Sequence, residues 1–196
     1  MLKNALSDLQ NKIGEIIKPI PLHPNDITIL SIILAIIGSY YVWNKDIAGM
    51  FFIILAFVMD GLDGALAHAK NLTTNYGAYL DGVSDRIVEF FALLPLFFSQ
   101  QLMTPALFVL FFGSCMTSFC KAYADHREVV DSKTAAKLKT ILPRSERTIG
   151  IFIVLTLYLF NYIQEASYIL WIVAILSISS VIYLQYDLYL KSGHKI

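Results

Sequence analysis

The hydrophobic and polar positions divide this 196-residue chain into one amphipathic stretch followed by a series of long apolar runs. Leu2, Ala5, Leu6, Leu9, Ile13, Ile16 and Ile17 recur at steps of three and four, with Lys3, Asp8, Lys12 and Glu15 between them. That spacing predicts a helix with one apolar face over residues 1–20, lying on a membrane surface. Pro19, Pro21 and Pro24 then interrupt the pattern, and Asn25 or Asp26 is placed to cap a new helix. From Ile27 to Trp43 the chain is apolar for about the length that crosses a bilayer. Five similar segments follow, at roughly 47–69, 76–98, 102–124, 147–163 and 167–190, each near the ~20 residues a crossing helix needs. The expected fold is all-α and integral to the membrane, with six transmembrane helices in residues 27–190 behind the surface helix. No repeat, low-complexity tract or separate soluble domain is visible, so residues 1–196 read as a single membrane domain.

Composition agrees with a bilayer setting. The chain is 57% hydrophobic and 15% charged, with mean hydropathy +0.62, whereas soluble domains hold about 45–50% apolar residues. A net charge of zero conceals an asymmetry along the chain. The segments joining spans one and two, three and four, and five and six contain Lys45 and no other Lys or Arg. The remaining basic residues, Arg86 excepted, fall in the N-terminal segment, the 69–75 loop, the stretch from Lys121 to Arg147 and the C-terminal tail. The positive-inside rule then places both termini and those basic segments in the cytoplasm of a multi-pass cell-membrane protein. Residues 1–20 carry Asp8 and Glu15 in place of a continuous apolar core, so no cleavable signal peptide is expected. Cys115 and Cys120 stand five positions apart on one span, which suits neither a bridge nor a metal site, and they read as packing residues. No nucleic-acid partner is expected.

Candidate chemistry lies inside the apolar runs. Span two carries Asp60 and Asp63 near its cytoplasmic end, and span three carries Asp81 and Asp85 near its cytoplasmic start. Spacings of three and four put each pair on one helix face, and a short loop makes the two helices antiparallel neighbours, so the faces can converge. An Asp within a membrane costs about 2.5–3.5 kcal/mol even on the lenient insertion scale, and four together repel one another. The cluster therefore requires a cation, and carboxylates without His or Cys select a hard one such as magnesium, manganese or calcium. Gly61, Gly64, Gly77 and Gly82, with Ala65, Ala67 and Ala78, strip side chains from the same surfaces. They serve either close helix packing or a flat ligand lying against the backbone.

The run Asp60-Gly61-Leu62-Asp63-Gly64-Ala65-Leu66-Ala67-His68, followed by Gly77, Asp81 and Asp85, resembles the signature of the CDP-alcohol phosphotransferase family. The pattern in that family is Asp, two residues, Asp-Gly, two residues, Ala-Arg, eight residues, Gly, three, Asp, three, Asp. The six-helix count extends the resemblance over nearly the whole chain. It implies a transferase that moves a phosphoalcohol group, phosphatidyl or archaetidyl, from a CDP-linked lipid donor to an acceptor alcohol and releases CMP. It further implies two Mg2+ ions, with Mn2+ an alternative, held by Asp60, Asp63, Asp81 and Asp85. Asp85 would be the general base, Gly61, Gly64, Ala67, His68 and Gly77 would contact the CDP donor, and the enzyme would be a homodimer in contact with membrane lipids. One position departs, since His68 stands where the family has Arg, leaving His68 or Lys70 to meet the diphosphate. Arg86, beside Asp85, reads as a charge-balancing cation.

The acceptor is legible only through cations at helix ends. Lys121 lies near the end of span four, and Arg144 and Arg147 open span five, whereas Lys133, Lys137 and Lys139 fit the positive-inside excess. Residues 117–125 and Glu146-Arg147 resemble segments of the phosphatidylinositol-phosphate and archaetidylinositol-phosphate synthase branch, in which basic residues grip the acceptor's phosphate. That implies a phosphorylated alcohol, inositol phosphate, as acceptor. Glycerol phosphate, serine or a CDP-inositol donor would use the same metal site, and a small metal-ion transporter or channel is the reading from another class. Against transport stand the absence of acids in the outer halves of the spans and of an inverted repeat.

Overall fold

The computed structural model describes residues 14, 16, 18, 19, 21–99 and 104–192. The amphipathic helix expected over residues 1–20 lies almost entirely outside them. Among the described residues the chain is wholly helical: α1 (Pro24–Trp43), α2 (Ala48–Ala69), α3 (Asn75–Phe97), α4 (Thr104–His126), α5 (Ser132–Ala136), α6 (Arg144–Leu159) and α7 (Ile163–Lys191). Four of these, α1, α2, α4 and α7, are long and apolar enough to cross a membrane. The charges Asp81, Asp85, Arg86 and Glu89 interrupt α3, and α6 is only 16 residues long. The chain forms two compact units, residues 1–95 and 96–196.

Local chemistry sets the helix ends, not always where the sequence suggests. α1 is capped by His23, not by Asn25 or Asp26. The His23 Nδ1 accepts from the Asn25 amide at 3.3 Å, and Asp26 Oδ2 accepts from the His23 amide at 2.9 Å. Pro24 follows at the first helical position, where its missing N–H costs nothing. At their C-termini α1, α2, α4 and α6 close alike: Lys45, Asn71, Glu128 and Asn161 take positive φ, between 54° and 62°. In each case the next residue donates back across the last turn, as Leu72 does to Ala67 O at 2.8 Å and Tyr162 to Leu157 O at 2.9 Å. Glycine usually fills this position, so its absence hides the stops, and α6 ends at Leu159 rather than near 163.

In the first unit, Leu34 and Ala35 of α1, Ala56 of α2 and Val88 of α3 form the core, with Phe52, Leu55 and Phe91 packed against it. α1 and α2 touch at glycines. A methyl group on Gly49 would lie 2.5 Å from Val42 N, and one on Gly38 would lie 2.7 Å from Ile53 Cγ1. The second unit repeats the device, with α4 against α7 at Gly113, where a methyl would meet Ser177 Oγ at 2.6 Å, and α6 against α7 at Gly150, facing Val173. Apolar helices in lipid gain little from hydrophobic exclusion, and close backbone approach at small residues supplies dispersion contact instead. Polar ties add to it, since the Leu142 amide donates to Ser180 Oγ at 2.8 Å and Ser177 Oγ to Leu110 O at 3.3 Å.

Three of the four glycines around the aspartates behave differently, Gly77 being the exception with Thr74 Oγ1 at 3.1 Å from an added methyl. A methyl on Gly61, Gly64 or Gly82 meets nothing within 4 Å among the described residues. Helix packing among the described residues therefore gives no reason for them. Gly49→Ala is expected to lower the thermal midpoint in detergent by forcing overpacking of about 1–3 kcal/mol. Gly61→Ala should raise it, through a gain in helix propensity of up to about 1 kcal/mol. Shifts of the same sign in both variants would contradict this division of roles.

Candidate active site

The site is built in the first unit by α1, α2 and α3. Helical steps of three on α2 and four on α3 turn each pair of aspartates to one face. Asp60 and Asp63 are 3% and 4% exposed, and Asp81 and Asp85 are half-buried. One carboxylate oxygen from each of Asp60, Asp81 and Asp85 lies within 4.8 Å of the others. Three acids so close repel one another unless a cation intervenes, and an all-oxygen donor set fits a hard divalent ion. The residues present thus fit the metal that the sequence resemblance implies.

Asp63, the fourth expected ligand, stands outside that trio. Thr28 Oγ1 on α1 donates to its Oδ2 at 2.5 Å, and the Gly64 amide donates to its Oδ1 at 2.5 Å. Hydrogen bonds to a charged group are worth roughly 1.5–3 kcal/mol, enough to hold this buried carboxylate in one rotamer. Asp60 is held in a similar way. Ser84 Oγ lies 3.2 Å from Asp60 Oδ1 and 2.8 Å from the Asp81 carbonyl, and its single proton serves one acceptor at a time. Arg86 places NH2 at 3.5 Å from Asp85 Oδ2 and NH1 at 2.7 Å from Glu89 Oε2.

Beside the carboxylates opens a cavity of about 160 Å³, lined on one side by Asp63, Gly64, Ala67 and His68 of α2 and on the other by Gly77, Ala78 and Asp81 of α3. Asn25 and Thr28 of α1 and the loop residues Leu72, Thr73 and Thr74 complete the wall. Of the expected donor contacts, Gly64, Ala67, His68 and Gly77 line this cavity and Gly61 does not. Lys70, the alternative to His68, turns its Nζ to the Leu22 carbonyl at 2.8 Å and is not among the lining residues. Thr74 Oγ1 accepts from the Gly77 amide at 3.0 Å, which fixes the first turn of α3.

The expected acceptor residues belong to the second unit. Arg144 is the first residue of α6 and is exposed, Arg147 lies within its first turn and is 3% exposed, and Lys121 on α4 is half-buried. Thr28, Ser84 and Glu89 were not singled out from the sequence. Ser84 follows Asp81 by three and Glu89 follows Asp85 by four, so helical spacing was a usable signal for both. Thr28 carries no such signal, being 35 residues from its partner.

The sequence pattern of the family described as CDP-alcohol phosphatidyltransferase matches residues 21–182. The chain is similar to the archaetidylinositol phosphate synthase of Pyrococcus horikoshii, 33% identical over 168 residues, spanning 85% of this chain and 83% of that protein. It is 30% identical over 167 residues to the bifunctional IPC transferase and DIPP synthase of Aquifex aeolicus, covering 82% of this chain and 38% of that one. In fold it resembles Mycobacterium tuberculosis phosphatidylinositol phosphate synthase with CDP-DAG bound, with TM-score 0.79 over 96% of this chain and 98% of that one, at 20% identity. The same enzyme in complex with manganese and citrate superposes with TM-score 0.77, at 21% identity over 95% and 92% of the two chains. A match that begins before the cap of α1, reaches into α7 and takes in Asp60, Asp63, Asp81 and Asp85 decides the question: this chain belongs to the CDP-alcohol phosphatidyltransferase family.

Proposed function

We propose that this enzyme transfers a phosphatidyl or archaetidyl group from a CDP-linked lipid to inositol phosphate and releases CMP. The observation that carries the reading is the convergence of Asp60, Asp81 and Asp85 beside a cavity walled by Gly64, His68 and Gly77. Similarity to the archaetidylinositol phosphate synthase supports the choice of acceptor. Asp60, Asp63, Asp81 and Asp85 would together hold two Mg2+ ions, or Mn2+. Bound divalent cations supply neutralisation of the donor diphosphate and of charge on the transferred phosphoryl group.

The remaining work falls to side chains and backbone. His68, which lines the cavity, would meet the diphosphate, and Gly64, where an added Cβ meets no described atom within 4 Å, would leave room for the donor against the backbone. Asp85 takes the proton of the acceptor hydroxyl as its oxygen bonds to the lipid-bearing phosphorus, and the bond from that phosphorus to the CMP oxygen breaks in line. Lys121, Arg144 and Arg147 hold the acceptor's phosphate through charge-assisted hydrogen bonds. We read residues 1–196 as one membrane domain with six spans, both termini and the site at the cytoplasmic face, acting as a homodimer. The basic residues flanking the spans support that orientation.

A panel assay tests the reading. CMP release from CDP-diacylglycerol and CDP-dialkylglycerol is followed with inositol phosphate, inositol, glycerol phosphate and serine, for the wild type and for two variants. Inositol phosphate should be the preferred acceptor. Arg147→Ala should raise its KM by about tenfold or more while leaving the KM of the lipid donor little changed. Lys133→Ala, which removes an exposed charge on α5, should behave as wild type. Preference for an unphosphorylated alcohol, or equal behaviour of the two variants, would remove the acceptor pocket and leave the transferase assignment standing.

A further inference from the structure

Arg86 and Glu89 form an ion pair next to the proposed base, and neither has a role in the chemistry set out above. Glu89 is 2% exposed on a helix within the apolar part of the chain. A carboxylate so buried is tolerated when a cation meets it, and Arg86 NH1 does so at 2.7 Å, three residues back on the same helix face. Arg86 and Asp85 are adjacent in sequence and project about 100° apart, yet NH2 reaches to 3.5 Å from Asp85 Oδ2. Left to itself, a guanidinium beside a carboxylate closes into a two-pronged bond with both oxygens at about 2.7–2.9 Å. Here the close contact goes to Glu89 and the long one to Asp85.

We propose that Glu89 is a positioning residue: by taking the near contact of Arg86, it holds the guanidinium where it orients Asp85 without capturing the carboxylate. The inference rests on the reading of Asp85 as metal ligand and base. Charge arithmetic gives the reason. Arg86 and Glu89 together are neutral, so Asp60, Asp81 and Asp85 present their full negative charge to a divalent cation. With Glu89 neutral, Arg86 becomes a cation inside the site that is drawn onto Asp85 and competes with the metal for it. The same arrangement explains why an arginine is tolerated beside a metal centre at all.

The test is Mn2+ binding to the purified full-length chain in detergent, followed by electron paramagnetic resonance, alongside steady-state kinetics. Glu89→Gln, close in shape but uncharged, should weaken Mn2+ binding by about 10–100-fold, the usual effect of losing a residue that orients a metal ligand. It should lower kcat with little change in the KM of the lipid donor. Glu89→Asp keeps the charge and should stay within about threefold of wild type for Mn2+, well short of the loss typical of an oriented ligand. The double variant Arg86→Gln/Glu89→Gln restores neutrality and should recover Mn2+ affinity lost in Glu89→Gln, although Asp85 then lacks its guide. Wild-type Mn2+ affinity in Glu89→Gln overturns the proposal. So does a double variant, or Glu89→Asp, that binds as poorly as Glu89→Gln while remaining folded, because that pattern reports packing and not charge. If Glu89→Gln does not fold, Glu89→Asp and the double variant are compared with wild type, and a loss of Mn2+ affinity of about tenfold or more in either, while it remains folded, overturns the proposal. Asp85→Asn, measured in parallel, separates the two levels: retained turnover there removes the underlying reading of Asp85, whatever Glu89 does.

Discussion

Asp85→Asn is expected to abolish turnover, by about 10²–10⁴-fold at least, while donor affinity stays within about tenfold of wild type. Asparagine keeps the shape of the side chain and one oxygen for a cation, and it removes the capacity to take a proton. On the proposed reading most ground-state contacts to the donor would come from elsewhere, from Gly64, Ala67, His68 and Gly77, which line the cavity, and from the other aspartates. Chemistry is therefore lost before binding. Equilibrium binding of a CDP-lipid, measured beside single-turnover CMP release, checks the split. Loss of donor binding with an unchanged rate for the donor that does bind would take the role of base away from Asp85.

Gly64→Leu should be nearly the reverse, a variant that folds at least as well as the wild type and no longer accepts the donor. A Cβ added at position 64 meets no protein atom within 4 Å among the described residues, and leucine is a better helix former than glycine by roughly 0.5–1 kcal/mol. Yet Gly64 lines the cavity, so the added atoms occupy the space into which a ligand must fit. Overfilling costs about 1–3 kcal/mol, which becomes roughly a 5–150-fold rise in the donor KM. The measurement pairs a thermal melt in detergent with donor titration. A lowered midpoint with donor KM unchanged would show that this glycine serves packing.

Much of the site was readable in one dimension because helical periodicity converts spacing into facing. Four aspartates at steps of three and four, on two segments joined by a short loop, had to share a level and a face, and Asp60, Asp81 and Asp85 do converge. The same reasoning reached the all-helical fold, in which α1, α2, α4 and α7 are long and apolar enough to cross a membrane. Ser84 and Glu89 were equally accessible by spacing, but an isolated serine or glutamate on a helix has many uses, and only contact distances show which one applies.

Other features depend on what approaches from elsewhere in the chain, and no local pattern encodes that. Glycine illustrates it best. Gly38, Gly49, Gly113 and Gly150 sit where a second helix leaves no room for a methyl group, whereas Gly61, Gly64 and Gly82 face open space. In sequence the two sets look alike, because a missing side chain says that something comes close and not whether it is a helix or a ligand. The stops at Lys45 and Glu128 were hidden for a related reason, as residues with no preference for positive φ are held there by the returning hydrogen bonds. Length, polarity and period thus dictated a helical membrane protein with an acidic centre, because each acts along the chain. The pairing of Thr28 with Asp63, the choice of His68 over Lys70 in the cavity wall and the division of Arg86 between Asp85 and Glu89 came from three-dimensional packing, because each rests on distances between side chains that spacing along the chain leaves open.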